Sequence, residues 1–415
     1  MAEFVNVAWS QIARRRRQVS SIWKGEGYRG LAFRARKVAA EHLRPKRSEL
    51  DVLPEDVLAA NLSEPFVPAM PAWRPGDAMR LNWIVTPTRA GSGGHTTIFR
   101  IVRYLENNGF RNTIYFYDRF GGDHDYYVDV ARRHYGVTCQ IRDLRQGIDD
   151  ADALIATAWE CAYAVYNARS AGKRFYFVQD YEPAFYPTGT RSLLAENTYR
   201  MGFHGITAGA WLAEKLVQDF AMPADFFPFG CDTTRYFLKG EQKRKGVAFY
   251  ARASTPRRGV ELGLLALEIL AARRPDVEIH LFGGEVEGVS FRHVSHGVVT
   301  PGGLNDIYNR CFAGLCLSLT NVSLVPVEML AAGCIPVVND ARHNRMVLDN
   351  PLVRYSTPTP HALADALEAV MSAPPETAAR AAGSVLSTSW DDAGEAVASC
   401  LRRTIDQARA SERQP

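Results

Sequence analysis

Three arginines stand in one turn between a predicted strand and a predicted helix in the second half of the chain. They are Arg252, Arg257 and Arg258, within the run RASTPRRG. A guanidinium group pairs with two phosphate oxygens at once, and this turn places three such groups beside a helix N-terminus. The turn predicts a clamp for a diphosphate, and the alternative is a solvated surface loop. A glycine pair, Gly283-Gly284, follows the next predicted strand.

The stretch from Gly314 to Asp340 predicts a strand, a helix and a second strand. A polar break at Thr320, Asn321 and Ser323 separates the first strand from the helix. The N–H groups at the start of such a helix have no partner within it, and they can hold a phosphate. We therefore expect this break to be a second part of the same binding site.

Glu328 is a carboxylate inside that otherwise apolar helix. Its neighbours Val325, Val327, Met329 and Leu330 leave little polar face for it. A lone glutamate is usually solvated, but these neighbours favour a contact with a ligand.

A glycine-rich turn follows the first predicted strand, Leu81–Val85. Its run GSGG ends in Gly93 and Gly94 and departs from GxGxxG, so a dinucleotide fingerprint is not supported. Glycines allow a ligand to approach the backbone at a helix N-terminus, and a tight strand-to-helix turn explains them equally well. His95, directly after the turn, could be a general base, a polar contact or neither.

Another polar cluster, QDYEPAFYP, follows a predicted strand that ends at Val178. It holds two carboxylates, Asp180 and Glu182, and three aromatic rings. Carboxylates accept hydrogen bonds from hydroxyls and rings cover the apolar face of a sugar, so the cluster fits sugar binding. The same residues could instead hold an ordered loop in place.

Strands and helices alternate from Leu81 onward, which predicts two doubly wound parallel sheets. A charged stretch, residues 239–245, precedes a new strand and marks a domain boundary. The predicted parts are a basic N-terminal segment 1–47, a proline-rich linker or strap 48–79, an N-terminal domain 80–235, a C-terminal domain 236–389 and a final helix 390–415 that could pack back on the N-terminal domain.

The composition of the 415 residues, 47% hydrophobic and 23% charged, is typical of a globular protein. No run approaches the roughly 18 apolar residues of a membrane span, and no signal-peptide pattern is present. The seven cysteines form no CxxC pair and no pattern typical of a metal site. Reduced thiols in a cytoplasmic protein are therefore expected.

The positive charge is concentrated in residues 1–47, which carry 12 Lys and Arg against three acids, whereas the whole chain has a net charge of only +4. The rest of the chain is therefore net negative. Basic helices that carry aromatic residues suit an anionic membrane surface, here the inner face of the cell membrane. A basic segment without a partner is the alternative. Nucleic acid is not expected, because no recognition motif appears.

The order of these motifs resembles the retaining nucleotide-sugar enzymes of glycosyltransferase family four. That family has the GT-B fold, an α/β fold of two doubly wound (Rossmann-like) domains that face a cleft. The likeness covers about residues 80–390 and implies that residues 80–235 form the acceptor-side domain and residues 236–389 the nucleotide-sugar-binding domain. The runs FVQDYEPAFY, RASTPRRG and SLTNVSLVPVEML are most similar to the WsaF-type rhamnosyltransferases of bacterial surface glycans.

The resemblance implies roles for individual residues of the second half. Glu328 matches the second carboxylate of a paired-glutamate motif and is expected to bind the ribose hydroxyls of the donor. Arg252 and Arg258 are expected at the diphosphate. Backbone amides near Ser323 and Leu324 would hold phosphate oxygens.

The resemblance also places Gly93 and Gly94 near the diphosphate and the acceptor. Two departures follow from the same comparison. Thr320 stands where the family has its first glutamate, which usually contacts the donor sugar, so an atypical sugar such as rhamnose is expected. The arginine turn is one residue longer than usual, which leaves open whether Arg257 or Arg258 binds phosphate.

The resulting hypothesis is a retaining, metal-independent hexosyltransferase without a bound cofactor. It would move a sugar from dTDP-rhamnose to a glycan or lipid-linked acceptor in surface polysaccharide synthesis. His95 and Asp180 are the candidate catalytic residues, through contacts with the acceptor or the sugar. The rivals are a GT-B-like epimerase or phosphorylase and an inactive sugar-binding or scaffold protein, which Thr320 would suit.

Overall fold

The structure is a computed structural model that describes residues 19–20, 23, 27–36, 38–39, 50–74, 76–89, 91–240 and 243–412. Residues 27–36 are helical, and most of the basic segment 1–47 lies outside the described residues. Across the described ranges, no helix combines the length and apolar character needed to cross a membrane.

Thirteen strands among the described residues form two parallel sheets. They are β1 Arg80–Val85, β2 Arg111–Phe116, β3 Gln140–Asp143, β4 Ala153–Ala156, β5 Lys173–Val178, β6 His204–Ala208, β7 Ala224–Phe227, β8 Gly246–Tyr250, β9 Glu278–Phe282, β10 Val294–Ser295, β11 Cys311–Cys316, β12 Ile335–Asn339 and β13 Arg354–Ser356. The first sheet has the order β3-β2-β1-β4-β5-β6-β7 and the second the order β10-β9-β8-β11-β12-β13. The predicted pair of doubly wound sheets is confirmed.

Helices connect most of these strands. They are α1 Pro54–Ala59, α2 Gly93–Asn107, α3 His124–Tyr135, α4 Trp159–Asn167, α5 Thr190–Asn197, α6 Ala210–Phe220, α7 Val260–Arg273, α8 Pro301–Arg310, α9 Val325–Ala331, α10 Arg342–Leu348, α11 Pro360–Met371, α12 Thr377–Gly383 and α13 Trp390–Glu412. The apolar face of α2 is buried at Ile98, Ile101, Val102 and Leu105. Each such side chain contributes about 1.5–3 kcal/mol through burial.

The sequence predicts the first strand of the Gly314–Asp340 stretch over Gly314–Leu319, whereas β11 begins and ends three residues earlier, at Cys311 and Cys316. Beyond Cys316, two backbone N–H groups donate to partners other than the backbone of a neighbouring strand. The Ser318 N–H donates to Asn339 Oδ1 at 2.8 Å, and the Leu319 N–H donates to the Arg257 carbonyl at 2.9 Å. The predicted strand continued too far because hydrophobicity does not reveal where a backbone leaves a sheet.

Each sheet has a point where its strand order reverses. Strand β1 lies between β2 and β4, and β8 lies between β9 and β11. In parallel α/β sheets, ligands bind beyond the carboxyl ends of the strands at such a reversal. The loops after β1 and β4, and those after β8 and β11, are therefore the places where a site is expected.

The chain divides into two compact units. The first comprises residues 1–177, 200–203 and 401–415, and the second comprises residues 178–199 and 204–400. The second unit contains the six-stranded sheet. The domain boundaries proposed from sequence remain predictions.

In the first unit, residues 50–74 pack against the sheet end and neighbouring helices. The Tyr117 hydroxyl donates to Asp56 Oδ2 at 2.7 Å and accepts from the Leu53 N–H at 2.9 Å. Burial raises the pKa of Asp56. These contacts attach part of the proline-rich segment to the first unit.

The end of α13 is held in the same unit by a buried ion pair. Arg409 Nη2 lies 2.8 Å from Asp152 Oδ1, with the two side chains only 7% and 1% exposed. The guanidinium carbon also lies 4.3 Å from the centre of the Trp73 ring.

Candidate donor site

The loops after β8, β9 and β11 lie at one edge of the second sheet. They carry the arginine turn, Gly283 and the segment from Leu317 to Leu324. Because these three strands are parallel neighbours, their carboxyl ends meet. Residues far apart in sequence are brought together at this edge.

Arg257 is tied to the loop that follows β5. Its Nε donates to Asp180 Oδ2 at 2.8 Å, and its guanidinium carbon lies 3.9 Å from the centre of the Phe185 ring. The charge is thus neutralised and one face of the guanidinium is covered. In this conformation the guanidinium of Arg257 is poorly placed to bind a phosphate.

Arg258 is held by the loop that follows β11. Its Nη1 donates to Ser318 Oγ at 2.5 Å and to the Asn321 carbonyl at 3.0 Å. The side chain is 11% exposed. Burial lowers the pKa of Arg258, and the nearby Asp180 carboxylate opposes that change. In this conformation Arg258 links the turn after β8 to the loop after β11.

Arg252 differs from both. It is partly exposed, and its Nη1 donates only a long hydrogen bond, 3.5 Å, to the Tyr250 hydroxyl. Within the described part of the chain no carboxylate pairs with it. Of the three arginines, Arg252 is therefore the one with a guanidinium available to an anionic ligand.

Gly283 borders Arg252. Its φ is +99°, and a Cβ there would lie 2.6 Å from the Tyr250 ring and 3.7 Å from Arg252 Cβ. The glycine allows the turn after β9 to pass close to both side chains.

Thr320 and Asn321 are buried in the loop after β11. The Thr320 hydroxyl and Asn321 Oδ1 have no hydrogen-bond partner in the described residues. Buried polar atoms are normally paired, so two such atoms in one loop indicate a place for a ligand group or a water. Ser323 and Leu324 follow at the partly buried start of α9.

The polar break at Ser323 predicts a helix that starts near this residue, and the helix begins two residues later, at Val325. It has seven residues and carries Pro326 in its first turn, where the missing N–H costs no helical hydrogen bond. The proposed phosphate contacts of the Ser323 and Leu324 amides remain a prediction.

Both oxygens of Asp180 are engaged. Oδ1 accepts from the Tyr181 and Asn321 N–H groups, each at 2.9 Å, and Oδ2 accepts from Arg257. The Asn321 amide also donates to the Gln179 carbonyl at 3.0 Å. The carboxylate therefore connects the loop after β5 with the loop after β11, and its predicted contact with acceptor or sugar stays untested.

Glu328 lies half-buried on α9. Burial and the Glu328 charge raise the pKa of both Tyr236 and the fully buried Tyr308. The Glu328 carboxylate thus lies close enough to two buried tyrosines to affect their pKa values, and its contact with the ribose remains a prediction.

The glycine-rich turn and His95 lie in the first unit. Gly93 and Gly94 are exposed at the start of α2, and a Cβ on Gly93 would meet nothing within 4 Å. The positive φ of the turn belongs to Gly91 instead, at +77°. The turn therefore does not require a glycine at position 93. The open space beside the Gly93 backbone leaves room for a ligand.

His95 is held in one orientation by two hydrogen bonds. Its Nε2 lies 2.9 Å from the Thr86 carbonyl and its Nδ1 lies 2.7 Å from Ser92 Oγ. A carbonyl only accepts, so Nε2 carries the proton and Nδ1 accepts from the serine hydroxyl. Burial lowers the pKa of His95 to about 4, and the ring is neutral at pH 7.

Family models match both halves of the chain. The model described as WsaF, N-terminal domain, matches residues 133–208, and the model described as WsaF, C-terminal domain, matches residues 245–368. The second match includes the arginine turn, Gly283, Thr320 and Glu328. This chain is of the WsaF type.

A curated relative of this WsaF-type chain is the O-antigen biosynthesis protein RfbC of Myxococcus xanthus. The two are 34% identical over 348 residues, which is 79% of this chain and 27% of the relative. The chain thus corresponds to about a quarter of that longer protein.

Solved structures show the GT-B fold of the WsaF-type chain. TarM superposes with a TM-score of 0.65 at 7% identity, covering 80% of this chain and 99% of TarM. Anabaena Alr3699/HepE in complex with UDP and glucose has a TM-score of 0.54 at 15% identity, covering 80% and 99% of the two chains. At these identities the likeness establishes the fold alone.

The sequence reasoning missed several residues of the WsaF-type site. Burial and the Glu328 charge raise the pKa of Tyr236, and the Ser318 carbonyl accepts from Asn339 Nδ2 at 2.9 Å and from His343 at 2.7 Å. Burial lowers the pKa of His343. Asn339 and His343 lie at and beyond the end of β12, so the strand-end rule could have found them. Nothing in the sequence marks Tyr236.

Proposed function

We propose that this WsaF-type chain is a glycosyltransferase of bacterial surface polysaccharide synthesis. It transfers a sugar from a nucleotide diphosphate donor to a glycan or lipid-linked acceptor. The WsaF matches, the relative named for O-antigen biosynthesis and the GT-B fold support this activity. The match to that relative covers only part of its length, so the acceptor is proposed as a class.

The observation that carries the proposal is the guanidinium of Arg252, which makes one long hydrogen bond at the edge of the second sheet where the loop leading to Glu328 also lies. Arg252 has an uncommitted guanidinium, and Glu328 is a half-buried carboxylate in an apolar helix. The first suits a diphosphate and the second suits ribose hydroxyls. Glu328 is therefore assigned to the ribose, and Arg252 to the diphosphate.

Charge stabilisation by the protein would drive the departure of the diphosphate. Negative charge grows on the leaving phosphate as the glycosidic bond breaks, and a positioned guanidinium stabilises it. Arg252 supplies this charge in the proposed mechanism, which is metal-independent and retains the anomeric configuration. Arg258 supports it by holding the loop after β11.

We propose rhamnose, carried by dTDP, as the donor sugar. Thr320 replaces a carboxylate where the family contacts the sugar, and its buried hydroxyl has no partner in the described residues. A short neutral hydroxyl suits a 6-deoxy sugar, which offers one hydroxyl fewer for recognition.

We also propose that the basic segment 1–47 attaches the protein to an anionic membrane surface. Among its described residues, Trp23 and Tyr28 are exposed, 57% and 73%. Exposed aromatic side chains beside basic ones suit the interface of a bilayer.

The donor site is tested by titrating the protein with dTDP-rhamnose, UDP-glucose and GDP-mannose and then measuring transfer to glycan acceptors. We expect dTDP-rhamnose to bind most tightly. Replacing Arg252 by Ala or Glu328 by Gln should weaken its binding by roughly tenfold or more, the effect of losing one charge-assisted hydrogen bond.

The matched controls are Arg354→Ala and Glu268→Gln, which change exposed residues of the same unit away from the site. They should bind the donor like the unmodified chain. Full binding by Arg252→Ala and Glu328→Gln would contradict the site. Tight binding without either transfer or donor hydrolysis would favour a sugar-binding protein instead.

A further inference from the structure

Ser318, in the loop after β11, is held by three side chains from β12 and α10. Its carbonyl oxygen accepts from Asn339 Nδ2 at 2.9 Å, from His343 Nε2 at 2.7 Å and from Asn344 Nδ2 at 3.2 Å. A carbonyl oxygen has two lone pairs, so this one is fully engaged. Asn339, His343 and Asn344 are called the Ser318 clamp below.

Asn339 binds both backbone groups of Ser318. Its Oδ1 accepts from the Ser318 N–H at 2.8 Å, while its Nδ2 donates to the Ser318 carbonyl. Backbone pairing between β11 and β12 ends at Cys316 and Val338, just before these two residues. The side chain of Asn339 therefore gives Ser318 the pairing that a strand backbone would give, and it fixes the point where the chain leaves the sheet.

The members of the Ser318 clamp are themselves held in place. Asn344 Nδ2 also donates to the Asn339 carbonyl at 2.9 Å. The His343 ring lies against Trp211 of α6, with the ring centroids 5.2 Å apart. A carbonyl only accepts, so the Nε2 atom of His343 carries the proton and Ser318 is held by an oriented imidazole.

Asn321, at the other end of this short segment, is held without the clamp. Its N–H donates to Asp180 Oδ1 at 2.9 Å, and its Nδ2 donates to the Ala208 carbonyl at 2.8 Å. Thr320 therefore lies between two anchored residues, Ser318 and Asn321. Of the two anchors, the clamp is the one that holds the segment on the side of β11.

Thr320 has the buried hydroxyl that is assigned to the donor sugar. It is 6% exposed, and its hydroxyl has no hydrogen-bond partner in the part of the chain that the structure describes. The neighbouring Leu319 N–H donates to the Arg257 carbonyl at 2.9 Å. A contact group is useful for recognition only when its surroundings hold it in place, so the anchors of the segment determine where this hydroxyl meets a ligand.

We propose that His343 and Asn339 are positioning residues of the donor site, which hold Ser318 so that the Thr320 hydroxyl meets the sugar of the donor. This inference rests on the proposed function, in which Thr320 contacts that sugar. Neither positioning residue touches the donor. Loss of the clamp displaces Thr320 and weakens recognition of the sugar, whereas the nucleoside diphosphate, which is assigned to other residues, binds as before.

The test is His343→Phe, which removes the hydrogen bond to Ser318 and keeps a ring against Trp211. Isothermal titrations with dTDP-rhamnose and with dTDP are compared. The dissociation constant of dTDP-rhamnose should rise about threefold to tenfold, the effect of losing one neutral hydrogen bond, while that of dTDP stays the same. Equal weakening of both ligands would indicate a general structural role and overturn the positioning role.

Two further variants separate the hydrogen bond from the packing. His343→Gln keeps an N–H group that can reach the Ser318 carbonyl, and it should recover most of the lost affinity for dTDP-rhamnose. Asn339→Asp keeps the acceptor for the Ser318 N–H but loses the N–H group, and it should show the same selective loss as His343→Phe. A loss in His343→Gln as large as that in His343→Phe would contradict the role of the hydrogen bond.

His293→Phe is the matched control. His293 belongs to the same unit, its Nδ1 lies 3.0 Å from the Phe291 carbonyl, and its ring centroid lies 5.9 Å from that of Phe291. It directly precedes β10, at the amino end of that strand, whereas the proposed site lies at carboxyl ends. The dissociation constants of both ligands should be unchanged. Equal weakening of dTDP-rhamnose by His293→Phe and His343→Phe would overturn the positioning role.

Thr320→Val and the double variant Thr320→Val/His343→Phe separate the two proposals. If His343 acts through Thr320, its replacement has little further effect once the hydroxyl is gone. Weakening of dTDP-rhamnose by Thr320→Val without weakening by His343→Phe would overturn the positioning role alone. Unchanged binding in Thr320→Val, or no binding of dTDP-rhamnose by the unmodified chain, would overturn the proposed contact with the sugar, and the positioning role with it.

Discussion

The three arginines of the turn after β8 carry the same charge in different surroundings. Arg257 lies against a carboxylate and a ring, Arg258 braces the loop after β11, and Arg252 has one long hydrogen bond. Partners already present decide which guanidinium is available to a phosphate. The family resemblance left Arg257 and Arg258 as alternatives beside Arg252, and the conformation favours Arg252 over both.

His95 should make stability depend on pH. Its pKa in the folded chain is about 4, against an ordinary 6.5. Between pH 4 and pH 6.5 the imidazole of His95 binds a proton in the unfolded chain but not in the folded chain. The free energy of unfolding therefore falls as pH falls from 6.5 to 4. Above pH 6.5 this contribution is constant. Chemical denaturation at pH 7, 6, 5 and 4.5 measures it.

His95→Gln is the comparison for that titration, because an amide has no proton to take up in this range. The stability of the unmodified chain relative to the variant should shrink toward acid pH. Parallel pH profiles for the two proteins would contradict the lowered pKa of His95.

At the scale of elements, the site consists of strand ends whose turns depend on close packing. Gly283→Ala should lower the free energy of unfolding by about 1–3 kcal/mol, because the new Cβ meets the Tyr250 ring and the residue keeps a left-handed φ. Movement of that ring should also displace Arg252 and weaken nucleotide binding. Denaturation and dTDP titration measure the two effects.

Gly302→Ala is the matched control in the first turn of α8. A Cβ there meets nothing within 4 Å, and its φ is not in the left-handed region. Its stability should stay the same or rise slightly, since alanine suits a helix better than glycine. A loss as large as that of Gly283→Ala would show that the effect is not specific to the turn.

The alternation of elements was predictable because each strand is a short apolar run and each helix has an apolar face. Contacts between distant segments were not. Asp180 and Asn321 meet across 141 positions, and no periodicity indicates this pairing. The apolar neighbours of Glu328 on α9 marked it as a candidate ligand contact. Tyr236 is a tyrosine in a loop, and no such pattern marked it.

At the scale of the molecule, the buried pair of Arg409 and Asp152 holds the end of α13 in the first unit. Arg409→Ala leaves a carboxylate that is 1% exposed without its main cationic partner. We expect the free energy of unfolding to fall by about 3–5 kcal/mol, as when one member of a buried pair is removed. Chemical denaturation followed by circular dichroism measures the change.

An exposed pair provides the control for this prediction. Arg273 and Asp365 lie 2.6 Å apart with side chains 37% and 64% exposed. Arg273→Ala should cost at most about 1 kcal/mol, because water screens the pair. Equal losses at the two sites would contradict the assigned importance of burial.

The two members of the buried pair are also synthesised far apart in time. Arg409 follows Asp152 by 257 residues, which a ribosome adds in about 13–50 s at 5–20 residues per second. Throughout that interval the nascent first unit lacks Arg409, the nearer of the two arginines that pair with Asp152, and has only Arg80 at 3.8 Å. A chain released before residue 409 would keep this defect permanently, and cellular proteases would remove it in preference to the finished protein.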